Sequence, residues 1–170
     1  MLARALGIPH VSTGEMLREA VAKGTDLGKQ AQAIMSAGDL VPDALVVAIV
    51  EQRLAEDDAA CGYLLDGFPR NVEQAGALAA AVGDDAVEVT ISLDVAEDEV
   101  VARLLNRAAL EGRSDDNEDT IRRRLEVYRS ETEPLLDHYQ SRLVTIDGVG
   151  TVEDVFSRIV LALALALATP

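Results

Sequence analysis

Three observations in the sequence predict an α/β protein built on a parallel sheet flanked by helices. Short runs of strand character, Tyr63-Leu64-Leu65, Val87 to Leu93 (VEVTISL) and Leu143 to Ile146, are separated by longer stretches with apolar residues at helical spacing, the alternation of βαβ units. Tyr63-Leu64-Leu65 is apolar without a break, as expected of a strand buried on both faces of a parallel sheet. At 170 residues, 49% hydrophobic but only 3% aromatic and without Trp, the chain has the material for one domain with a core of Ala, Val, Leu and Ile.

The elements follow in order. Met1 to Leu6 reads as the tail of a helix stopped by Gly7, and Ile8 to Val11 as a short extended piece. Ser12 and Glu15 stand at capping-box spacing ahead of Met16, Leu17, Ala20 and Val21, which recur at helical intervals. Thr25 can cap a second helix that ends at Gly38. Pro42 opens a third, running to about Glu56 with Leu45, Val46, Ile49, Val50 and Leu54 on its apolar side. After the Tyr63–Leu65 strand, Asn71 with Gln74 can cap the next helix. Glu97 to Leu110 predicts a helix, Glu118 to Tyr139 a long one, and Thr151 to Ile159 the last. The Leu/Ala alternation from Leu161 to Ala168 scatters leucines around every side of a helix; it predicts a frayed tail.

Charge and cysteine usage narrow the function classes. With 15 Lys+Arg against 30 Asp+Glu the net charge is −15, which opposes binding to a nucleic-acid duplex. No apolar run reaches 18 residues and Met1 to His10 does not read as a signal peptide, so the expectation is neither membrane nor export. Cys61 is the only cysteine. It excludes an internal disulfide framework, fits a reducing cytoplasm, and reads as a buried small hydrophobe. His10 and His138 have no partners at metal-ligand spacing, and Asp84-Asp85 reads as a surface turn.

Three constellations can carry chemistry. In Asp66-Gly67-Phe68-Pro69-Arg70, followed by Gln74, an acid and a guanidinium lie beyond the carboxyl end of a strand, where open α/β sheets bind ligands. Asp66 suits Mg²⁺ through water, Arg70 matches phosphate oxygens, and Gln74 can present a donor and an acceptor to a base edge. The alternative is a capped turn with Arg70 paired to a carboxylate. In Ser12 to Arg18 (STGEMLR), a helix start with an Arg one turn in makes an anion site, or an ordinary cap with a solvated Arg. The arginines at 103, 107, 113, 122, 123 and 124 repel one another unless an anion sits among them; otherwise they form a solvated charged face.

Taken together, these motifs with Gly38 to Pro42 (GDLVP) and Gly112 to Asp116 (GRSDD) resemble the adenylate kinases in order and spacing from about Leu2 to Ala162. DGFPR followed by Gln is highly specific to nucleoside monophosphate kinases, and Thr13 resembles the AMP-specific version rather than the UMP/CMP kinases. The resemblance implies one nucleoside monophosphate kinase domain of P-loop kinase type over 1–170. Within it, 12–41 would be a moving AMP-binding region, about 107–116 a short lid without zinc ligands, and 161–170 a tail. It implies that Thr13, Arg18, Asp39, Leu40, Val41, Gly67, Phe68, Pro69, Arg70 and Gln74 hold AMP, with Arg18 and Arg70 on its phosphate. Arg107, Arg113 and Arg124 would clasp the ATP phosphates and the group in flight, Arg103 and Gly150 would serve the ATP side, and Asp66 would order a Mg²⁺ shell. The implied reaction is ATP + AMP to 2 ADP, in nucleotide homeostasis, by a cytoplasmic monomer.

The sequence contains no G-x-x-x-x-G-K-[ST], the phosphate loop with which, together with its strand, the family begins. Leu2 to Pro9 matches the end of the helix after that loop. Two readings stand: a start assigned too late in a complete kinase, or a truncated protein, of which a non-catalytic AMP-binding remnant is one form. An α/β scaffold whose arginines serve a protein partner is a third possibility. The chain as written is expected to convert little ATP and AMP, and two inner strands are expected to carry unpaired edges.

Overall fold

A computed structural model describes residues 1–112 and 117–168. Helix α1 spans Leu2–Leu6 and ends on Gly7, whose φ of 70° is the left-handed conformation a helix stop needs. Strand β1 (His10–Ser12) leads directly into α2 (Thr13–Ala22). Ser12 is the buried last residue of that strand, and its side chain makes no cap bond. The capping box expected at Ser12 and Glu15 is therefore not formed. Thr25 does cap α3 (Asp26–Ala37), accepting from the Gly28 amide, and Gly38 closes that helix at φ 82°. Helix α4 is Asp43–Leu54, after Pro42, and stops two residues short of Glu56.

Strand β2 (Leu64–Asp66) pairs in parallel with β1, His10 opposite Leu64 and Ser12 opposite Asp66. Asn71 caps α5 (Val72–Val82) by accepting from the Gln74 amide. Strand β3 begins at Thr90 rather than Val87 and runs to Asp94. It pairs in parallel with β4 (Leu143–Asp147), Thr90 opposite Leu143. Helix α6 is Glu97–Glu111 and α7 is Glu118–Val127, capped by Asn117.

The parallel pairing expected is present, but as two separate two-stranded sheets. Among the described residues each of the four strands has one strand neighbour, β1 with β2 and β3 with β4. Leu64 and Leu65 are consequently half-buried, not covered on both faces as the apolar run predicted.

Other differences have local causes. The long helix expected over 118–139 is broken: α7 gives way to a π turn at Tyr128–Thr132, then α8 at Pro134–His138. Pro134 has no amide hydrogen and its ring crowds the carbonyl four residues back, and the chain widens so that the Glu133 amide reaches the Tyr128 carbonyl at 2.8 Å. Cys61 is exposed, not buried, because it falls in the surface turn between the 3₁₀ turn Asp57–Ala59 and β2. The Leu/Ala stretch is not frayed: α9 runs unbroken from Val152 to Ala168, burying Leu163 while Leu161, Leu165 and Leu167 stay exposed.

The core lies where α2, α3, α4 and α5 meet. Leu17, Ala31, Val41, Val46, Val50, Phe68 and Leu78 form one buried cluster. Gly28 lets α2 and α3 approach so closely that a Cβ at its position would stand 2.1 Å from the Ala20 carbonyl oxygen. No helix among the described residues is long and apolar enough to cross a membrane.

Candidate functional site

Because Ser12 lies opposite Asp66, the carboxyl ends of β1 and β2 open side by side, the position at which parallel sheets bind ligands. A cavity of about 340 Å³ lies there, within the range of small-molecule sites. One wall is the start of α2, from Ser12 to Arg18; opposite stand Asp66, Gly67, Arg70 and Gln74. Gly38 to Val41, with Met35 and Val46, form a more apolar wall, and Leu104, Arg107 and Arg124 reach in from α6 and α7.

Each arginine is brought in by its own element. Arg18 is one turn into α2, where Gly14 makes room: a Cβ there would meet the Arg18 Nη1 at 3.2 Å. Arg124 is carried by α7, which is fixed on the end of α3 by the Thr120 hydroxyl donating to the Ser36 carbonyl at 3.2 Å and by Arg123 donating to Asp39 at 2.7 Å. That ion pair raises the pKa of Arg123 above the ordinary arginine value.

Arg70 is the most constrained. Its amide donates to Gln74 Oε1 at 2.8 Å, its carbonyl accepts from the Thr132 hydroxyl at 2.7 Å, and its Nε donates to the Gly67 carbonyl at 3.0 Å. The same Gly67 carbonyl accepts from the buried Thr13 hydroxyl at 2.8 Å. Gly67 holds φ 70°, so one left-handed residue joins the start of α2 to the Arg70 side chain. Arg70 is an exposed residue whose guanidinium is nonetheless crowded by the protein around the cavity. This loss of water, then the charge of Arg124, pull its pKa below the ordinary arginine value; Asp66 opposes the shift and Arg18 adds to it. Clustered cations that disfavour one another's charge are relieved by an anion between them.

Among the sequence-predicted residues, this one cavity gathers Thr13, Arg18, Asp39, Leu40, Val41, Asp66, Gly67, Arg70, Gln74, Arg107 and Arg124. Phe68 is instead part of the core, and Pro69 is half-buried outside the cavity wall. Arg103 donates to Glu99 at 2.7 Å and to the Gly148 carbonyl at 2.9 Å, which ties it to the loop that carries Gly150. Arg113 lies outside the described residues, as do positions 114–116 of the expected 107–116 lid, whose first five residues belong to α6. The arginine series is also less crowded than its spacing implied, because Arg103, Arg122 and Arg123 have carboxylate partners in Glu99, Glu118 and Asp39.

Three features were not anticipated. The His10 Nε2 and Asp66 Oδ2 are 3.1 Å apart. Behind Gln74, at the base of the cavity, lies a polar cluster in which Asp43 accepts from Gln74 Nε2 at 2.6 Å and from Asn71 Nδ2 at 3.1 Å; of the three only Gln74 lines the cavity. Leu104 and Met35 complete the wall. In sequence Asp43 is only an acid in a first helical turn, and nothing local connects it to a glutamine a strand and a helix away.

Comparison with known proteins agrees with this geometry. The family model described as "Adenylate kinase" matches residues 1–144. An adenylate kinase of Thermobifida fusca is 53% identical over 167 residues, covering 96% of this chain and 88% of that protein. Those of Corynebacterium urealyticum and Nocardia farcinica are 52% identical over 157 residues and 49% over 165, covering 91% and 96% of this chain and 84% and 89% of theirs. With an arginine-lined cavity at the strand ends and a match over most of its length, the chain belongs to the adenylate kinase family, phosphotransferases that interconvert ATP, AMP and ADP.

Proposed function

We propose that the cavity at the ends of β1 and β2 is the AMP site, with the phosphate held by Arg18 and Arg70 and the base against Leu40, Val41 and Gln74. The observation that carries this is the convergence of Arg18, Arg70, Arg107 and Arg124 from four separate segments on one cavity. Thr13 and the first amides of α2 add a positive helix end, and Asp39 and Gly67 complete the wall. Phe68 and Pro69 act by shaping the Asp66–Arg70 turn. In this reading Arg107, Arg113 and Arg124 act on the phosphoryl group in transfer, and Arg103 with Gly150 supports the ATP side. Phosphoryl transfer asks little covalent work of a protein, so alignment and positive charge suffice, and an arginine placed on the moving group is worth about 10³–10⁵ in rate. Closure of 12–41 and of 107–116 excludes water, which would otherwise accept the phosphoryl group.

The donor set also bears on Mg²⁺. Asp66 offers one exposed carboxylate, and among the described residues no group of three His, Cys, Asp or Glu could hold a metal. Such a site fits a cation that keeps water and phosphate as most of its ligands, as Mg²⁺ does. Asp66 would hold it through water, and the ion would neutralise charge on the phosphates. An exposed lone thiol at Cys61 supports a reducing, cytoplasmic setting. A working monomer is the state that the family reading implies.

The test is titration of AMP into the protein and its Arg70→Ala variant. A charge-assisted contact is worth about 1.5–3 kcal/mol, so the variant is expected to bind at least tenfold more weakly. Equal affinities would overturn the assignment.

A further inference from the structure

The cluster at the base of the cavity has a polarity that its geometry dictates. A glutamine amide has a donating and an accepting end of nearly the same size, so its direction is fixed only by its partners. Gln74 is 1% exposed. Its Oε1 faces the Arg70 amide at 2.8 Å, and its Nε2 faces Asp43 Oδ1 at 2.6 Å. A carboxylate only accepts, so Asp43 can be met by Nε2 and not by Oε1. Reversal would leave two donors facing each other at Arg70 and two acceptors at Asp43. The Asn71 Nδ2 also points at this carboxylate, 3.1 Å from Oδ1 and 3.2 Å from Oδ2, while its Oδ1 caps α5 at the Gln74 amide.

We propose that Asp43 is a positioning residue: by accepting from both Gln74 and Asn71 it fixes the direction of the Gln74 amide and, through Gln74 Oε1, the backbone of Arg70. Asp43 stands in the first turn of α4, whereas Asn71, Gln74 and Arg70 belong to the turn and helix after β2. The carboxylate thus locks the helix behind the apolar wall to the segment that carries the guanidinium. Gln74 lines the cavity, so the amide set in this direction still has one N–H and one lone pair to offer a base edge. The effect on AMP rests on the AMP reading of the cavity; the effect on Gln74 and Arg70 does not.

Two variants and two measurements test this. In D43N, whichever way the new amide turns, a donor meets Asn71 or Gln74. In D43N with N71D the roles are exchanged. The carboxylate now at position 71 still caps the Gln74 amide and accepts from the amide now at position 43, whose oxygen accepts from Gln74 Nε2. Hydrogen exchange at the Arg70 amide and the Gln74 side-chain amide, followed by NMR, should quicken about tenfold or more in D43N, the scale of one hydrogen bond to a charged group. AMP affinity should fall about tenfold. The double variant should recover both, which a merely structural carboxylate in a helix turn would not do. Wild-type protection in D43N, or a double variant that is unfolded or no better protected than D43N, overturns the proposal. If the parent protein binds no AMP, the AMP reading fails and amide exchange alone decides on Asp43.

Discussion

Arg18 and Arg70, one on the first turns of α2 and the other at the end of the turn after β2, border the same cavity, and Arg18 is one of two arginines whose charge weighs on Arg70. Loss of water comes first among the causes that lower the Arg70 pKa, and Arg124 exceeds Arg18. All three act in the sense that a bound anion would reverse.

Gly67 is where this arrangement is most sensitive. A Cβ at this position would lie 3.2 Å from Arg70 Nη2 and 3.4 Å from Thr13 Oγ1, on a backbone with φ 70°. Gly67→Ala should lose about 1–2 kcal/mol of stability from the left-handed backbone alone. It should also weaken AMP binding, because the guanidinium must give way. Denaturant unfolding and AMP titration check the two effects separately.

Two helical glycines make opposite predictions. Gly28→Ala drives a methyl into the Ala20 backbone, with contacts of 2.1 Å and 2.3 Å that no side-chain rotation relieves, so α2 and α3 must separate; the loss should be about 1–3 kcal/mol or more. Gly76, on the exposed side of α5, has nothing within 4 Å of an added Cβ. Gly76→Ala should raise stability by about 0.5–1 kcal/mol through helix propensity. Thermal unfolding of the pair measures the contrast.

Arg53 and Asp58 form a two-bond fork at 2.8 Å and 2.8 Å, and the hydrogen bond from Arg53 holds the Asp58 carboxyl below its ordinary value of 3.8. A carboxylate whose folded pKa is depressed contributes stability above its unfolded value and loses it as pH falls through the folded one. The wild type should therefore melt above Asp58→Asn at neutral pH, and the gap should close as pH drops below 3.8. Melting temperatures across that range check this, and a gap that persists in acid would contradict the assignment.

Much of the site was legible because its parts are local. The Asp66–Arg70 turn, the α2 start with Arg18, and the caps at Thr25 and Asn71 each draw on residues within a few positions of one another. What escaped depends on distant pairing. The half-burial of Leu64 and Leu65 follows from which strands flank β2, which a run of apolar letters does not encode. The break at Tyr128–Thr132 is instead a local effect of Pro134 that the helical spacing over 118–139 concealed, and the exposure of Cys61 depends on where the turn before β2 falls. Asp43 escaped because its partners Asn71 and Gln74 come from another segment.

The claim that guanidinium groups from separate segments converge on one phosphate is tested most directly by a double-mutant cycle on AMP affinity with Arg18→Ala, Arg70→Ala and both together. Two side chains on the same anion should be non-additive by about 0.5–3 kcal/mol. Losses that simply add, or an Arg18→Ala variant that binds AMP as tightly as the parent, would contradict it.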